Sequence, residues 1–131
     1  RYTMVYNGEV YNYNEIAAAL RLHGVFLRTT SDTEVIIEAF ALWGLGFVQK
    51  LQGMFAFAIY DSRSEQLYLY RDRVGKKPLF YYQQDGMFLF ASEIKALMQH
   101  PLVQANASAD QSVISTFLQL GYIPQPKTFF K

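Results

Sequence analysis

Asn7 and Gly8 stand side by side in Tyr6-Asn7-Gly8-Glu9-Val10-Tyr11-Asn12, an amide side chain next to a backbone N–H that no Cβ obstructs. Two such donors aimed at one point stabilise a developing oxyanion, and glycine lets a substrate come close to the backbone. Asp32 follows in Ser31-Asp32-Thr33-Glu34 and offers a carboxylate for a ligand ammonium. Each feature also has an ordinary reading. Asn-Gly is the favoured dipeptide of a tight hairpin turn, and an acid in the first turn of a helix is stabilised by the helix dipole. Acyl transfer needs a nucleophile as well, and the 131 residues include no cysteine. No other residue here pairs a nucleophile with an adjacent base.

Other polar clusters read as structural. Arg71-Asp72-Arg73 with Lys76-Lys77 reads as a solvated strand end and turn, since phosphate clamps usually bring Gly-rich loops or helix N-termini. His23 and His100 sit at expected helix ends, where the dipole favours them, and neither is given a role. Trp43, at helical spacing, reads as core.

These residues must be positioned by a packed domain. Hydrophobic residues make up 51% of the chain, which argues against disorder. Ten Tyr and eleven Phe favour strands. The net charge of +1 gives no reason to expect a nucleic-acid partner or an acidic membrane surface. No run approaches the ~18 apolar residues of a spanning helix. Without cysteine there is neither a disulfide framework nor a zinc-ligand spacing, which fits a reducing compartment.

The expected elements follow from period and punctuation. Residues 2–5 and 9–11 read as short β runs facing each other across Asn7-Gly8. Asn12 with Glu15 fits a capping box opening a helix that stops near Gly24. Residues 25–28 read as a strand. Ser31 with Glu34 fits a second capping box, opening a helix through Trp43 whose apolar face is Val35, Ile36, Ala39, Phe40 and Trp43. Residues 54–60 are apolar on both faces, as a strand in the middle of the protein would be. Residues 67–73, 79–83 and 87–92 read as further strands, with Asp85-Gly86 a strong hairpin signal. Residues 93–99 read as a short helix stopped by Pro101, and Asp110 as the cap of a last helix ended by Gly121. Pro124 and Pro126 mark an extended linker. The order is helices, an antiparallel meander, then helices: an α+β fold with a sheet packed under helices.

The blocks taken together carry more than any of them alone. Residues 6–12, Thr30-Ser31-Asp32-Thr33-Glu34-Val35-Ile36, Gly53-Met54-Phe55-Ala56-Phe57-Ala58, Arg71-Asp72-Arg73-Val74-Gly75-Lys76-Lys77-Pro78-Leu79-Phe80-Tyr81-Tyr82 and Ser92-Glu93-Ile94-Lys95-Ala96-Leu97, in that order, closely resemble the glutaminase domain of glutamine-hydrolysing asparagine synthetases. Other class II glutamine amidotransferases share the first two blocks. The resemblance implies an N-terminal-nucleophile hydrolase fold, an αββα sandwich of antiparallel sheets, here incomplete at its N-terminus. It implies an N-terminal Cys that attacks the glutamine amide with its own α-amino group as base, and a thioester that water hydrolyses after ammonia leaves. It implies Asn7 and Gly8 as the oxyanion hole, Glu9 as a lining residue of the glutamine site, and Asp32 as the acceptor of the α-amino group. No cofactor is implied within these residues; ATP and magnesium would serve a synthetase domain of the same polypeptide.

The chain departs from the family pattern in lacking the Cys-led first strand, the upstream Arg that holds the glutamine α-carboxylate, and the synthetase domain. The expectation is therefore residues 1–121 as the central and C-terminal part of a glutaminase domain and 122–131 as a linker, cut from a longer cytoplasmic protein. Alone, the piece is expected to release no ammonia and to form a homo-oligomer across uncovered apolar surface. Two rivals stay open: a related amidotransferase with a different acceptor, and a non-catalytic binding module on the same fold. The site reading further expects Asn7 and Gly8 to line a pocket with Asp32 about one ligand length away.

Overall fold

A computed structural model describes residues 1–130. They fall into two units, residues 1–79 and 80–130. The first unit runs β1 (Tyr2–Val10), α1 (Tyr13–Leu22), α2 (Asp32–Trp43), a 3₁₀ stretch (Gly44–Lys50), β2 (Gly53–Asp61) and β3 (Gln66–Arg71). The three strands form an antiparallel sheet in the order β1-β2-β3. The strand that reads as apolar on both faces is its centre, and Phe55 through Ile59 are all buried.

The two faces of β1 separate cleanly. Tyr2, Met4, Tyr6 and Val10 turn inward, while Thr3, Val5, Asn7 and Glu9 are exposed, the period-2 pattern of a half-buried strand. The inward face meets Phe55, Phe57 and Ile59 of β2, and Ile16, Leu20, Val35, Ile36 and Phe40 of the two helices close over it. Phe47, fully buried, lies edge-on to Phe40 and Tyr70 with ring centroids 5.5 and 5.3 Å away. Trp43 packs at the margin of this core, its ring under the Lys50 ammonium at 5.1 Å.

The structure corrects three local expectations. Asn7-Gly8 is not a turn: β1 runs straight through it and pairs with β2 from Tyr2↔Asp61 to Val10↔Gly53. A two-residue type I′ turn requires φ > 0 at both central residues, and Asn7 is not among the non-glycine residues with positive φ. Asp85-Gly86 meets that requirement, with φ of 51° and 77°. Residues 25–28 form no strand, although Val25 and Leu27 still pack on the core. Asn12 precedes α1 without capping it; its side chain instead accepts from Gln52 N–H and donates to Lys50 O, both at 2.9 Å. That stapling ties the end of β1 to the entry of β2.

The second unit contains the hairpin β4 (Phe80–Gln84) and β5 (Met87–Ala91), then α3 (Ile94–Leu97), α4 (Pro101–Asn106), a 3₁₀ turn (Gln111–Val113) and α5 (Ile114–Leu120). Pro101 stops one helix and opens the next at its first turn, where its missing N–H costs nothing. Asp110 caps the last helical segment through Ser112 N–H at 2.9 Å. Residues 128–130 turn back on this unit: Asp110 N–H donates to Phe129 O at 2.8 Å, and the Phe129 ring stands edge-on to Phe117 at 5.0 Å.

Candidate functional site

Strand alternation decides what β1 offers at its edge. Tyr11 N–H donates to Gln52 O at 2.7 Å, and Ser62 N–H donates to Arg1 O at 3.1 Å. The odd-numbered residues of β1 therefore turn their main-chain groups toward β2. In an antiparallel ladder the intervening residues turn theirs the other way. The N–H and C=O groups of Tyr6, Gly8 and Val10 thus face the edge of β1 away from β2, where the described sheet has no further strand.

Asp32 occupies that edge. Its Oδ2 accepts from the Tyr6 hydroxyl at 2.7 Å and from Val10 N–H at 3.2 Å. The carboxylate is therefore not the helix cap: Ser31, with extended backbone, takes Thr33 N–H on its Oγ at 3.2 Å. Glu34 orders the approach to the helix rather than closing a reciprocal box. Its two oxygens accept from Arg28 N–H, Thr29 N–H and the Thr29 hydroxyl at 2.6–2.8 Å. The Thr29 hydroxyl first, and the two amides with it, hold the Glu34 carboxyl below its ordinary pKa.

Gly8 lies midway between the two anchors of Asp32. Opposite Phe55, it has φ 151°, and a Cβ there would fall 2.2 Å from Met54 O and 2.6 Å from Phe55 Cα. Gly53, opposite Val10, is pinched in the same way, with Glu9 O at 2.2 Å from an ideal Cβ. Two glycines thus let β1 and β2 approach more closely than side chains allow.

The residues singled out from the sequence come together only in part. Gly8 and Asp32 share one strand edge. The exposed side chains of Asn7 and Glu9 lie on the sheet face opposite Tyr6, because neighbours along a strand alternate. The Asn7 side chain and the Asp32 carboxylate thus lie to either side of the strand edge at Gly8.

Two structural supports escape sequence reasoning. Tyr6 looks like one more inward strand residue, and nothing in its neighbours signals a partner 26 positions away. The Arg71-Asp72 pair is also no solvated patch. Asp72 is buried; its carboxylate accepts from Lys76 N–H at 2.8 Å, Lys77 N–H at 3.0 Å and Phe55 N–H at 3.2 Å. Burial alone would raise the Asp72 pKa, but the amides of Lys77, Lys76, Phe55 and Val74 outweigh it and hold the carboxyl low. Arg71 donates to Lys77 O at 2.6 Å and Gly75 O at 2.8 Å, closing the same loop. A signal was available: a carboxylate followed by glycine three residues on is turn chemistry.

Comparison with known proteins adds a family to this geometry. A family model described as a glutamine amidotransferase domain matches residues 1–131. The chain is 41% identical over 127 residues to asparagine synthetase [glutamine-hydrolyzing] 3 of Bacillus subtilis, covering 97% of the chain and 20% of that protein. It is 38% identical over 133 aligned positions to a putative asparagine synthetase [glutamine-hydrolyzing] of Mycobacterium bovis, covering 100% of the chain and 20% of that protein. It thus spans about a fifth of the length of these curated relatives. Among solved structures it resembles the glutamine phosphoribosylpyrophosphate amidotransferase of B. subtilis complexed with ADP and GMP. The TM-score is 0.64 at 24% identity, over 73% of the chain and 22% of the other. That likeness shows the fold, the antiparallel α+β fold of the N-terminal-nucleophile type.

Proposed function

Because the chain belongs to the glutamine amidotransferase domain family, we propose that the β1 edge is the glutamine-holding wall of a site that releases ammonia. In this reading glutamine lies across the edge. Its α-ammonium meets Asp32, and its amide carbonyl meets the Gly8 N–H and the Asn7 side chain, with Glu9 beside it. Attack on the amide carbon turns that carbonyl into an oxyanion, and the two donors stabilise the transition state more than the ground state. The observation that carries the reading is the Asp32 carboxylate bridging residues 6 and 10 around Gly8. The nucleophile would be a cysteine outside these residues, since none of the 131 is cysteine.

The likeness to asparagine synthetases supports a destination for the ammonia: ATP-dependent amidation of aspartate to asparagine, which the same reading puts in the cytoplasm. ATP and magnesium belong in this reading to the length that the curated relatives carry beyond the matched fifth. No helix among the described residues is long and apolar enough to cross a membrane.

Ammonia release from L-glutamine by the full-length protein that carries this chain tests the proposal. Asn7→Ala is expected to lower kcat about 10²–10³-fold, the usual loss for one oxyanion donor. Failure of the full-length protein to release ammonia from glutamine would refute it and favour a binding module on the same fold.

A further inference from the structure

Asp32 is a surface-edge carboxylate on the first residue of α2, and an aspartate in that place is usually free to choose its rotamer. Here it is not. Both of its bonds land on one oxygen, Oδ2: one from the Tyr6 hydroxyl at 2.7 Å, one from Val10 N–H at 3.2 Å. An O–H···O⁻ bond of that length is in the strong, charge-assisted class. The other oxygen, Oδ1, then carries the acceptor capacity that a ligand ammonium would use.

The Tyr6 hydroxyl is itself held by the sheet, not by a loop. Its ring stands edge-on to Phe57, its cross-strand partner, at 6.1 Å and 74°. Burial first, and then the bond to Asp32, push the Tyr6 hydroxyl above its ordinary pKa, so it remains a donor. The helix makes no competing claim on Asp32, because Ser31 supplies the cap.

We propose that Tyr6 is a positioning residue for the ligand ammonium: its hydroxyl fixes the Asp32 carboxylate at the β1 edge, in register with Gly8. The proposal rests on the glutamine reading of that edge. Tyr6 touches no reacting atom; it acts through Asp32. Its contribution is orientation. A carboxylate already turned toward the ammonium loses less rotamer freedom on binding than one that must be ordered by the ligand.

Steady-state ammonia release by the full-length protein separates this role from a structural one when two amides are compared: L-glutamine, and glutaramate, which lacks the α-amino group. Tyr6→Phe keeps the ring on Phe57 and removes only the hydroxyl. It is expected to raise KM for L-glutamine about tenfold, the loss of one charge-assisted bond. The expected change in kcat is less than about twofold, and kcat/KM for glutaramate stays where it was. The double variant Tyr6→Phe with Asp32→Asn is expected to be no worse than Asp32→Asn alone, because residues acting through one another do not add.

Equal losses on both amides would overturn the proposal and make Tyr6 a packing residue, as would additive losses in the double variant. A Tyr6→Phe protein that fails to fold would overturn it too, since the hydroxyl would then be holding the fold. Wild-type protein that releases ammonia from L-glutamine yet shows no KM effect in Tyr6→Phe would sink this inference alone. Wild-type protein inactive on both amides would sink the glutamine reading and this inference with it.

Discussion

At Gly8 the backbone is what the sheet and the proposed site both use. Its N–H faces the β1 edge beside Asp32, while its α-carbon is pressed against the backbone of Phe55. A methyl group placed there would lie 2.2 Å from Met54 O, well inside contact distance, at a φ that L-residues avoid. Gly8→Ala is therefore expected to destabilise the protein by roughly 2–6 kcal/mol, the sum of overpacking and backbone strain. Gly53→Ala, with Glu9 O at 2.2 Å, is expected to lose a comparable amount although it stands off the proposed site. Urea unfolding of the two variants checks this; a loss under about 0.5 kcal/mol in either would mean the strands separate cheaply. Activity alone would mislead here, because Gly8→Ala keeps the backbone N–H but strains the strand that aims it. Asn7→Ala is the cleaner probe of chemistry, since the Asn7 side chain is exposed on the outer face.

The loop after β3 is organised from inside by one carboxylate. Asp72 takes main-chain N–H groups from Lys76, Lys77 and Phe55, the last being the residue opposite Gly8. Asp72 N–H returns a bond to Phe55 O at 2.8 Å, extending the β2–β3 pairing past the end of the strand. Asp72→Ala would leave those amides without a partner, and the expected cost is roughly 1–3 kcal/mol, read as a shift in the urea midpoint at constant slope. An unchanged midpoint would mean water replaces the carboxylate without penalty. This loop also marks where sequence reading stops. Asp85-Gly86 was legible as a hairpin because the turn is local: both residues take positive φ and the strands flank it. The identical logic misplaced Asn7-Gly8, whose conformation is set by pairing with Phe55, 47 positions away in the chain and silent in the local pattern. Ser31 was legible as a cap for the same local reason. Asp32 was legible as a candidate carboxylate, but its partner Tyr6 was not, because a hydroxyl on an inward strand position looks like any aromatic core residue. The central place of β2 was legible because burial on both faces leaves an unbroken apolar run.

Over the whole molecule, acid and concentration are the two conditions that test the arrangement. Asp61, clasped by Arg1 through two bonds of 2.9 and 2.8 Å, is held by that guanidinium well below the usual carboxylate range. Asp72 and Glu34 are held low by main-chain amides and the Thr29 hydroxyl. A carboxyl with a lowered folded pKa adds stability that is fully present above its unfolded value, about 4, and is lost as pH falls through the folded value. Stability should thus be insensitive to these groups near neutrality and decline from about pH 4 downward. Asp72→Asn should flatten that decline; thermal melts showing the same acid slope in the variant would remove Asp72 from the account. Association follows from different surfaces. β1 ends the described sheet, and of its outward amides Val10 is covered by Asp32. Leu22 and Phe26 in the first unit are 88% and 83% exposed, and Leu118 in the second is 77% exposed. An open strand edge and uncovered apolar side chains both promote pairing, and a symmetric pairing of like edges is the commonest closed form. The 131-residue polypeptide studied alone is expected to be a dimer or larger, with a scattering mass that rises with concentration. Val5→Lys, at an exposed outer-face position on the edge strand, should shift that equilibrium toward monomer without loss of the core. A stable monomer at high concentration would show instead that the β1 edge is protected by its own bonds to Asp32.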